Sequence, residues 1–276
     1  MTPTGGSTLR LCEASADKRV LFYKKKQFMG IIRLDKQYEK LYVVGCSFTT
    51  GHHQGKLGSW GTYLAEKLNC ECQIAAGDSS SNYSIISQVV NLCETYDMSN
   101  SCVGIQFSER SRREMWSSET NRYETFNVAT IQINSEEYLS KNLKFVKNHL
   151  EFFNDIWFND KENLIRTTIS MLLVKGYLES KNIDYVMFEG ISTISDNLKV
   201  TKSENVTSYN RFDKLLDKDF RNQILDNKTF FNKYGPMQPF NRTHPLYDVD
   251  INLGHPNSEF VKWWADEMYN HIKDNQ

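Results

Sequence analysis

No run of apolar residues in this chain comes near the roughly 18 to 20 that a membrane-spanning helix requires. The first residues also lack the apolar core of a secretory signal. A cytoplasmic location without a membrane partner is therefore expected, and the Asn-x-Ser/Thr sequons at Asn82, Asn205, Asn227 and Asn241 then carry no glycan. Charge of one sign is missing too. The 33 basic residues against 34 acidic ones leave a formal charge of -1, which builds no field for gathering nucleic acid. Neither Gly-x-Gly-x-x-Gly nor Gly-x4-Gly-Lys-Ser/Thr follows any apolar run, so no nucleotide cradle is expected. The six cysteines, Cys12, Cys46, Cys70, Cys72, Cys93 and Cys102, match no zinc-ligand spacing. Cys70-Glu71-Cys72 with His52 and His53 comes nearest, but alternate residues on a strand face opposite ways. Reduced thiols, no metal and no cofactor are expected.

What the chain does have is enough apolar residue, 39% of 276, to bury a core in one domain with insertions. Its most informative stretch is Leu41-Tyr42-Val43-Val44-Gly45-Cys46-Ser47-Phe48-Thr49. Four apolar residues with β-branched Val43 and Val44 predict a buried strand of a parallel sheet, ended by a glycine turn. Ligands of such sheets bind at the carboxyl ends of strands, which makes Ser47 a candidate nucleophile. Its neighbour Cys46 is the rival, although adjacent turn residues rarely point to the same place.

Around this strand the chain repeats one plan. Ser59 caps a helix with Trp60, Leu64 and Leu68 on its buried face. Gln73–Gly77 is a second short strand, and Ile86, Val89, Val90 and Cys93 mark the buried stripe of the next helix. Strand, glycine, polar turn and returning helix, twice over, predict βαβ units. Cys102–Phe107 and Tyr185–Phe188 supply two more strands. Between them, Leu139, Leu143, Val146, Leu150, Phe153 and Trp157 predict one long amphipathic helix, followed by another over 161–181 behind Asp160. Residues 258–273 close the chain as a helix capped by Asn257 or Ser258, with Val261, Trp264, Ala265, Met268 and Ile272 inward. His255 stands in the loop just before it.

The remaining segments read as additions. Residues 1–38 are expected to be a loosely attached extension, with Met1 and Met29 both open as starts, and 39–276 a single α/β domain. Insertions are expected near 108–135, as a rim rich in Arg, Glu and aromatics, and near 190–254, a polar loop region holding three of the five prolines.

Gly45-Cys46-Ser47-Phe48-Thr49, then Trp60-Gly61-x-x-Leu64-Ala65, then Ala76-Gly77 with Ser81-Asn82, and finally His255-Pro256-Asn257 before a helix with Trp264-Ala265, resemble the SGNH (GDSL-type) hydrolase family. The first block is similar to that of phage-encoded and environmental members in which cysteine replaces the aspartate. The resemblance covers about residues 40–107 and 250–273. It implies a three-layer α/β/α sandwich of flavodoxin-like type and ester hydrolysis by a serine nucleophile and a histidine base. On that reading Ser47 is the nucleophile and His255 the base, and the oxyanion donors are the Ser47 and Gly77 amides with the Asn82 side chain. Asn82 reads equally as a turn or cap residue. Two blocks depart from the family pattern. Phe107-Ser108-Glu109-Arg110 stands where Gly-x-Asn-Asp is usual, and Asn252 and Leu253 stand where an aspartate usually precedes the histidine. Asp250 or Asp248, or a backbone carbonyl, is left to orient His255.

Arg110, with Arg112 and Arg113, is placed to bind an acidic or sugar-bearing substrate, or else to pair with Glu109 and Glu114. His52 is a further candidate substrate contact. Glu189, at the end of the fourth strand, either lines the pocket or pairs with a loop cation. The implied partner is a small-molecule or glycan ester, with the oligomeric state open. The alternative is a catalytically silent protein of the same fold, a glycan-contacting part of a virion. Either reading hangs on where the fold puts these side chains.

Overall fold

The structure is a computed structural model that describes residues 30–51, 58–126, 141–156, 160–191, 194, 213–237, 246 and 256–276. Four parallel strands, β1 (Lys40–Gly45), β2 (Glu71–Ala76), β3 (Ser101–Phe107) and β6 (Asp184–Glu189), form a sheet in the order β2-β1-β3-β6. The chain thus starts at an inner strand and winds outward in both directions, the doubly wound arrangement. Every residue of β3 and β6 is buried, as is all of β1 but its first residue. Their near-continuous apolar runs follow from burial on both faces. The edge strand β2 is half exposed.

Helices cover both faces, giving an α/β/α sandwich with a central parallel sheet. On one face α3 (Asn82–Thr95) and α6 (Asp160–Ser180) pack Ile85, Val89, Leu92, Leu164, Met171 and Val174 against Tyr42, Val44, Ile105 and Met187. On the other, α2 (Trp60–Leu68) and α9 (Ser258–Asp274) pack Trp60, Leu64, Trp264 and Met268 against Leu41, Val43, Val186 and Phe188. The starts of these helices are written locally. Ser59 accepts from the Gly61 and Thr62 amides, Ser81 from Ser84 and Asn257 from Phe260. The inward face of α3 is centred on Ile85, Val89 and Leu92, one position off the expected stripe.

Two expectations need correction, and the rim gains a defined element. The predicted single helix around Val146 is two, α4 (Lys141–Asn148) and α5 (Leu150–Ile156). At the break the His149 ring nitrogen Nδ1 lies 2.8 Å from the Phe145 carbonyl oxygen that its own amide would take in a continuous helix, and that amide bonds Val146 instead. The rim after β3 contains an antiparallel hairpin, β4 (Arg113–Ser117) and β5 (Arg122–Phe126), whose Phe126 joins Val146 and Phe153 in a small separate core.

Residues 30–38, read from the sequence as part of a loose extension, are packed: Ile31, Ile32 and Tyr38 are buried in the main core. Apolar side chains at these positions leave no other place for them. Gly30 and Thr229 accept from the Tyr185 and Met187 amides, so two chain segments cover the outer edge of β6. The region after β6 includes two short helices, α7 (Asp213–Leu216) and α8 (Lys218–Leu225), the second capped by Asp217.

Near the amino edge of the sheet, His271 on α9 lies with Nε2 2.9 Å from the Lys228 carbonyl and its ring edge-on to Phe231. Burial holds its pKa below the ordinary 6.5. The neutral ring is therefore the native form, and protonation favours the unfolded chain. Stability should be fully present above pH 6.5 and fall below it, by up to about 1.4 kcal/mol per pH unit until the native pKa is reached. Urea titrations at pH 7.5 and 5.5 check this, with the difference reduced in His271→Gln.

Candidate active site

Ser47 opens a short helix, α1 (Ser47–Thr50), that leaves the end of β1 and folds back on it. The turn is possible because residue 45 has no side chain: a Cβ there would collide with Thr49 Oγ1 and come within 2.9 Å of Gln106 Oε1. Gly51, at φ 68, ends α1 in the left-handed region. Gly45→Ala should displace α1 and cost about 1–3 kcal/mol by overpacking. A thermal melt of the variant checks it, and a wild-type midpoint would contradict the packing described.

Beneath α1 lies a buried polar network. Trp60 Nε1 donates to Thr49 Oγ1 at 3.1 Å, and Thr49 Oγ1 donates to Gln106 Oε1. Cys46 Sγ, wholly buried, lies 3.8 Å from the same oxygen. The Cys46 thiol is thus turned into the network below Ser47. Ser47 itself is 9% exposed, and its carbonyl accepts from Thr50 Oγ1, which also bonds Asp78. Gln106 and Thr49 were not picked out from the sequence. The available signal was a glutamine inside the otherwise apolar run Cys102–Phe107, since a buried amide requires partners.

Two of the expected oxyanion donors are already engaged. The Gly77 amide points at the Gly45 carbonyl at 3.4 Å. Asn82 is the first residue of α3, behind the cap Ser81, and its carboxamide spans to the end of β3. Oδ1 accepts from the Ser108 amide at 2.7 Å, while Nδ2 donates to the Ser108 carbonyl at 3.5 Å and to Thr167 Oγ1 at 3.3 Å. Asn82 is therefore a strut between α3, β3 and α6. Neither the cap reading nor the donor reading foresaw it, because its partners are distant in sequence.

The arginines after β3 fold inward. Arg110 pairs with Asp160 at 3.4 Å. Arg112 lies 3.9 Å from Glu109 and 3.5 Å from the Ser80 carbonyl. Arg113 bonds Asn163, and burial together with nearby Arg166 pushes its pKa down to about 10. Glu189 is 1% exposed, and its Oε1 accepts from the Ile194 amide at 2.5 Å. Buried Arg221 in turn donates to the Ile194 carbonyl. That carboxylate anchors a loop. His52, Asp250 and His255 lie outside the described residues, as do Asp248, Asn252 and Leu253.

Among the described residues, no group of three or more His, Cys, Asp or Glu side chains is placed to hold a metal, and no helix is long and apolar enough to cross a membrane. A cleft of about 340 Å³, lined in part by Lys228, Lys233, Glu267 and His271, lies at the other edge of the sheet, away from Ser47.

No protein-family model matches the sequence, and comparison with curated proteins finds no match. Solved structures are similar at low identity. A psychrotrophic esterase from a Pseudoalteromonas species is 13% identical, over 86% of this chain and 97% of that one, with a TM-score of 0.45. A member of the lipolytic G-D-S-L family from Veillonella parvula is 11% identical over 84% and 96%, at 0.43. An acetylxylan esterase from Geobacillus stearothermophilus is 12% identical over 89% and 96%, at 0.39. Likeness at this level says nothing about chemistry.

Proposed function

We propose that this chain is a serine ester hydrolase of SGNH type, acting on a small or carbohydrate O-acyl ester, with Ser47 as nucleophile and His255 as base. The observation that carries the proposal is the position of Ser47, at the first turn after an inner strand of the parallel sheet, on the carboxyl edge. The far end of the chain supports it. Gln276 bonds the Ile32 carbonyl and the Leu34 amide, which puts the C-terminus of α9 at the amino edge. The 17 residues of α9 span about 25 Å, so its cap Asn257 comes out at the edge where Ser47 stands. His255 is two positions earlier in the chain.

In this mechanism the His255 ring takes the Ser47 proton as Oγ attacks the acyl carbon. The Ser47 amide, and the Gly77 amide on leaving its long bond to Gly45, donate to the oxyanion. The alcohol departs with the proton from His255, and water repeats the sequence on the acyl-enzyme. Asp250 is the proposed orienter of His255. Arg110 and Arg112, with His52, are proposed to contact a polar ester on the rim.

A second reading is a catalytically silent binding protein, and the engagement of Gly77 and Asn82 within the fold favours it. One experiment separates the two: labelling with a fluorophosphonate probe alongside hydrolysis of p-nitrophenyl acetate. The esterase reading expects label on Ser47 and turnover lost in both Ser47→Ala and His255→Ala. Turnover that persists in both variants, or an unlabelled Ser47, rejects it.

A further inference from the structure

The turn between β2 and α3, residues 77–81, carries Gly77 and is gripped from three sides. From within, the Ser80 amide and hydroxyl both donate to the Gly77 carbonyl, at 3.2 and 2.9 Å. From α1, Thr50 Oγ1 reaches Asp78 Oδ1 at 3.3 Å while bonding the Ser47 carbonyl at 2.9 Å. From the rim, Arg112 donates to the Ser80 carbonyl at 3.5 Å, and Glu114 Oε1 accepts from the Ser81 amide at 3.2 Å. Ser79 is held at φ 62, a conformation that a side chain disfavours and that lasts only where the surroundings impose it.

Glu114 holds the exit of this turn by supplying what the local sequence lacks. In a capping box, the glutamate or glutamine three residues after the cap reaches back to accept from the cap's own amide. Ser81 caps α3, but the residue three positions on is Ser84, whose side chain is too short to reach back and whose amide donates to Ser81 Oγ at 3.2 Å. Only half of the box is therefore local. The other half comes from Glu114, 33 positions away in β4. There it stands opposite Thr125 of β5, and Thr125 Oγ1 bonds the same carboxylate oxygen at 3.4 Å. The hairpin fixes the carboxylate, and the carboxylate fixes the turn.

We propose that Glu114 is a positioning residue for ester hydrolysis at Ser47, setting, through the Ser81 amide, the turn whose Gly77 amide serves the oxyanion. This rests on the esterase reading. Glu114 touches no substrate and exchanges no proton. Its effect runs from Ser81 by way of Ser80 to the Gly77 carbonyl. A donor that is slightly misplaced weakens the transition state while leaving ground-state binding almost as it was, so kcat falls and KM holds.

A carboxylate beside a helix N-terminus also favours the helix by its charge alone, and two substitutions separate charge from reach. Glu114→Asp keeps the charge but withdraws it by about 1.5 Å, one carbon–carbon bond. Glu114→Gln keeps the reach and the accepting oxygen but loses the charge.

The test is steady-state hydrolysis of p-nitrophenyl acetate by wild type, Glu114→Ala, Glu114→Asp and Glu114→Gln, well below their thermal midpoints, with circular dichroism to verify folding. Glu114→Ala and Glu114→Asp should lose about 10-fold to 10²-fold in kcat with KM changed little, at or below the usual cost of removing one oxyanion donor. Glu114→Gln should stay within about threefold of wild type. A folded Glu114→Ala at the wild-type kcat overturns the proposal, as does a Gln variant as slow as Ala, an Asp variant faster than Gln, or a loss confined to KM. Where Glu114→Ala does not fold, the order of Asp and Gln decides by the same rule. Active wild type with an unaffected Glu114 series rejects the role of Glu114 alone, whereas wild type inert to ester and fluorophosphonate rejects the esterase reading with it.

Discussion

Ser47→Ala is expected to lower kcat/KM for p-nitrophenyl acetate by about 10³-fold or more, while leaving the fold intact. The size comes from the chemistry. Without a nucleophile no acyl-enzyme forms, and only whatever the oxyanion donors and binding contribute to direct attack by water remains. The harmlessness to the fold comes from the structure. The Ser47 carbonyl accepts from Thr50 Oγ1, and the buried network below α1 runs through Cys46, Thr49, Gln106 and Trp60. A thermal melt within a few degrees of wild type together with lost turnover is the expected pair of results. Turnover within tenfold of wild type would remove Ser47 from the mechanism.

Asp184→Ala is expected to cost about 3–5 kcal/mol of folding stability, the usual penalty for removing one partner of a buried ionic cluster. Asp184 is 1% exposed at the start of β6, and a single oxygen, Oδ2, accepts from Tyr38 at 3.0 Å, Arg33 at 3.1 Å and Lys36 at 3.2 Å. Burial of the Arg33 guanidinium works against its charge, but Asp184 outweighs that, and the Arg33 pKa stands above its ordinary value. Burial and then Asp184 likewise raise the Tyr38 phenol. Deleting the carboxylate leaves two cations and a phenol facing a vacant site under a segment that also supplies Ile31 and Ile32 to the core. Asp184→Asn keeps the shape and an acceptor for Tyr38, so its smaller loss measures the charge alone. Urea denaturation of the three proteins checks this, and a midpoint for Asp184→Ala equal to wild type would mean that the cluster holds nothing together.

The four strands and the capped helices could be read from the chain because their causes are local. An apolar run such as Leu41–Val44 stopped by glycine, or an inward stripe behind Ser59, Ser81 or Asn257, is decided within a dozen residues. Ser47 was legible for the same reason, since its meaning comes from the strand it ends. The hairpin over 113–126 was not, because its two strands carry charged and aromatic side chains over a small separate core, with no apolar alternation to announce it. Nor were the break at His149, where a side chain takes a helix carbonyl, and the burial of residues 30–38, which depends on an aspartate about 150 positions away.

By itself, then, the sequence determined the kind of sheet, the helices that cover it and the serine at its carboxyl edge, since each of these follows from patterning over one element. Only the tertiary structure decided what the polar side chains do there. It turned Asn82 from a candidate donor into a strut, buried Glu189 as a loop anchor and sent Cys46 below the turn. A hydrogen bond is short and directional, so a polar group's partner is whichever complementary group the packing of distant elements brings within about 3 Å, and no local pattern encodes that choice.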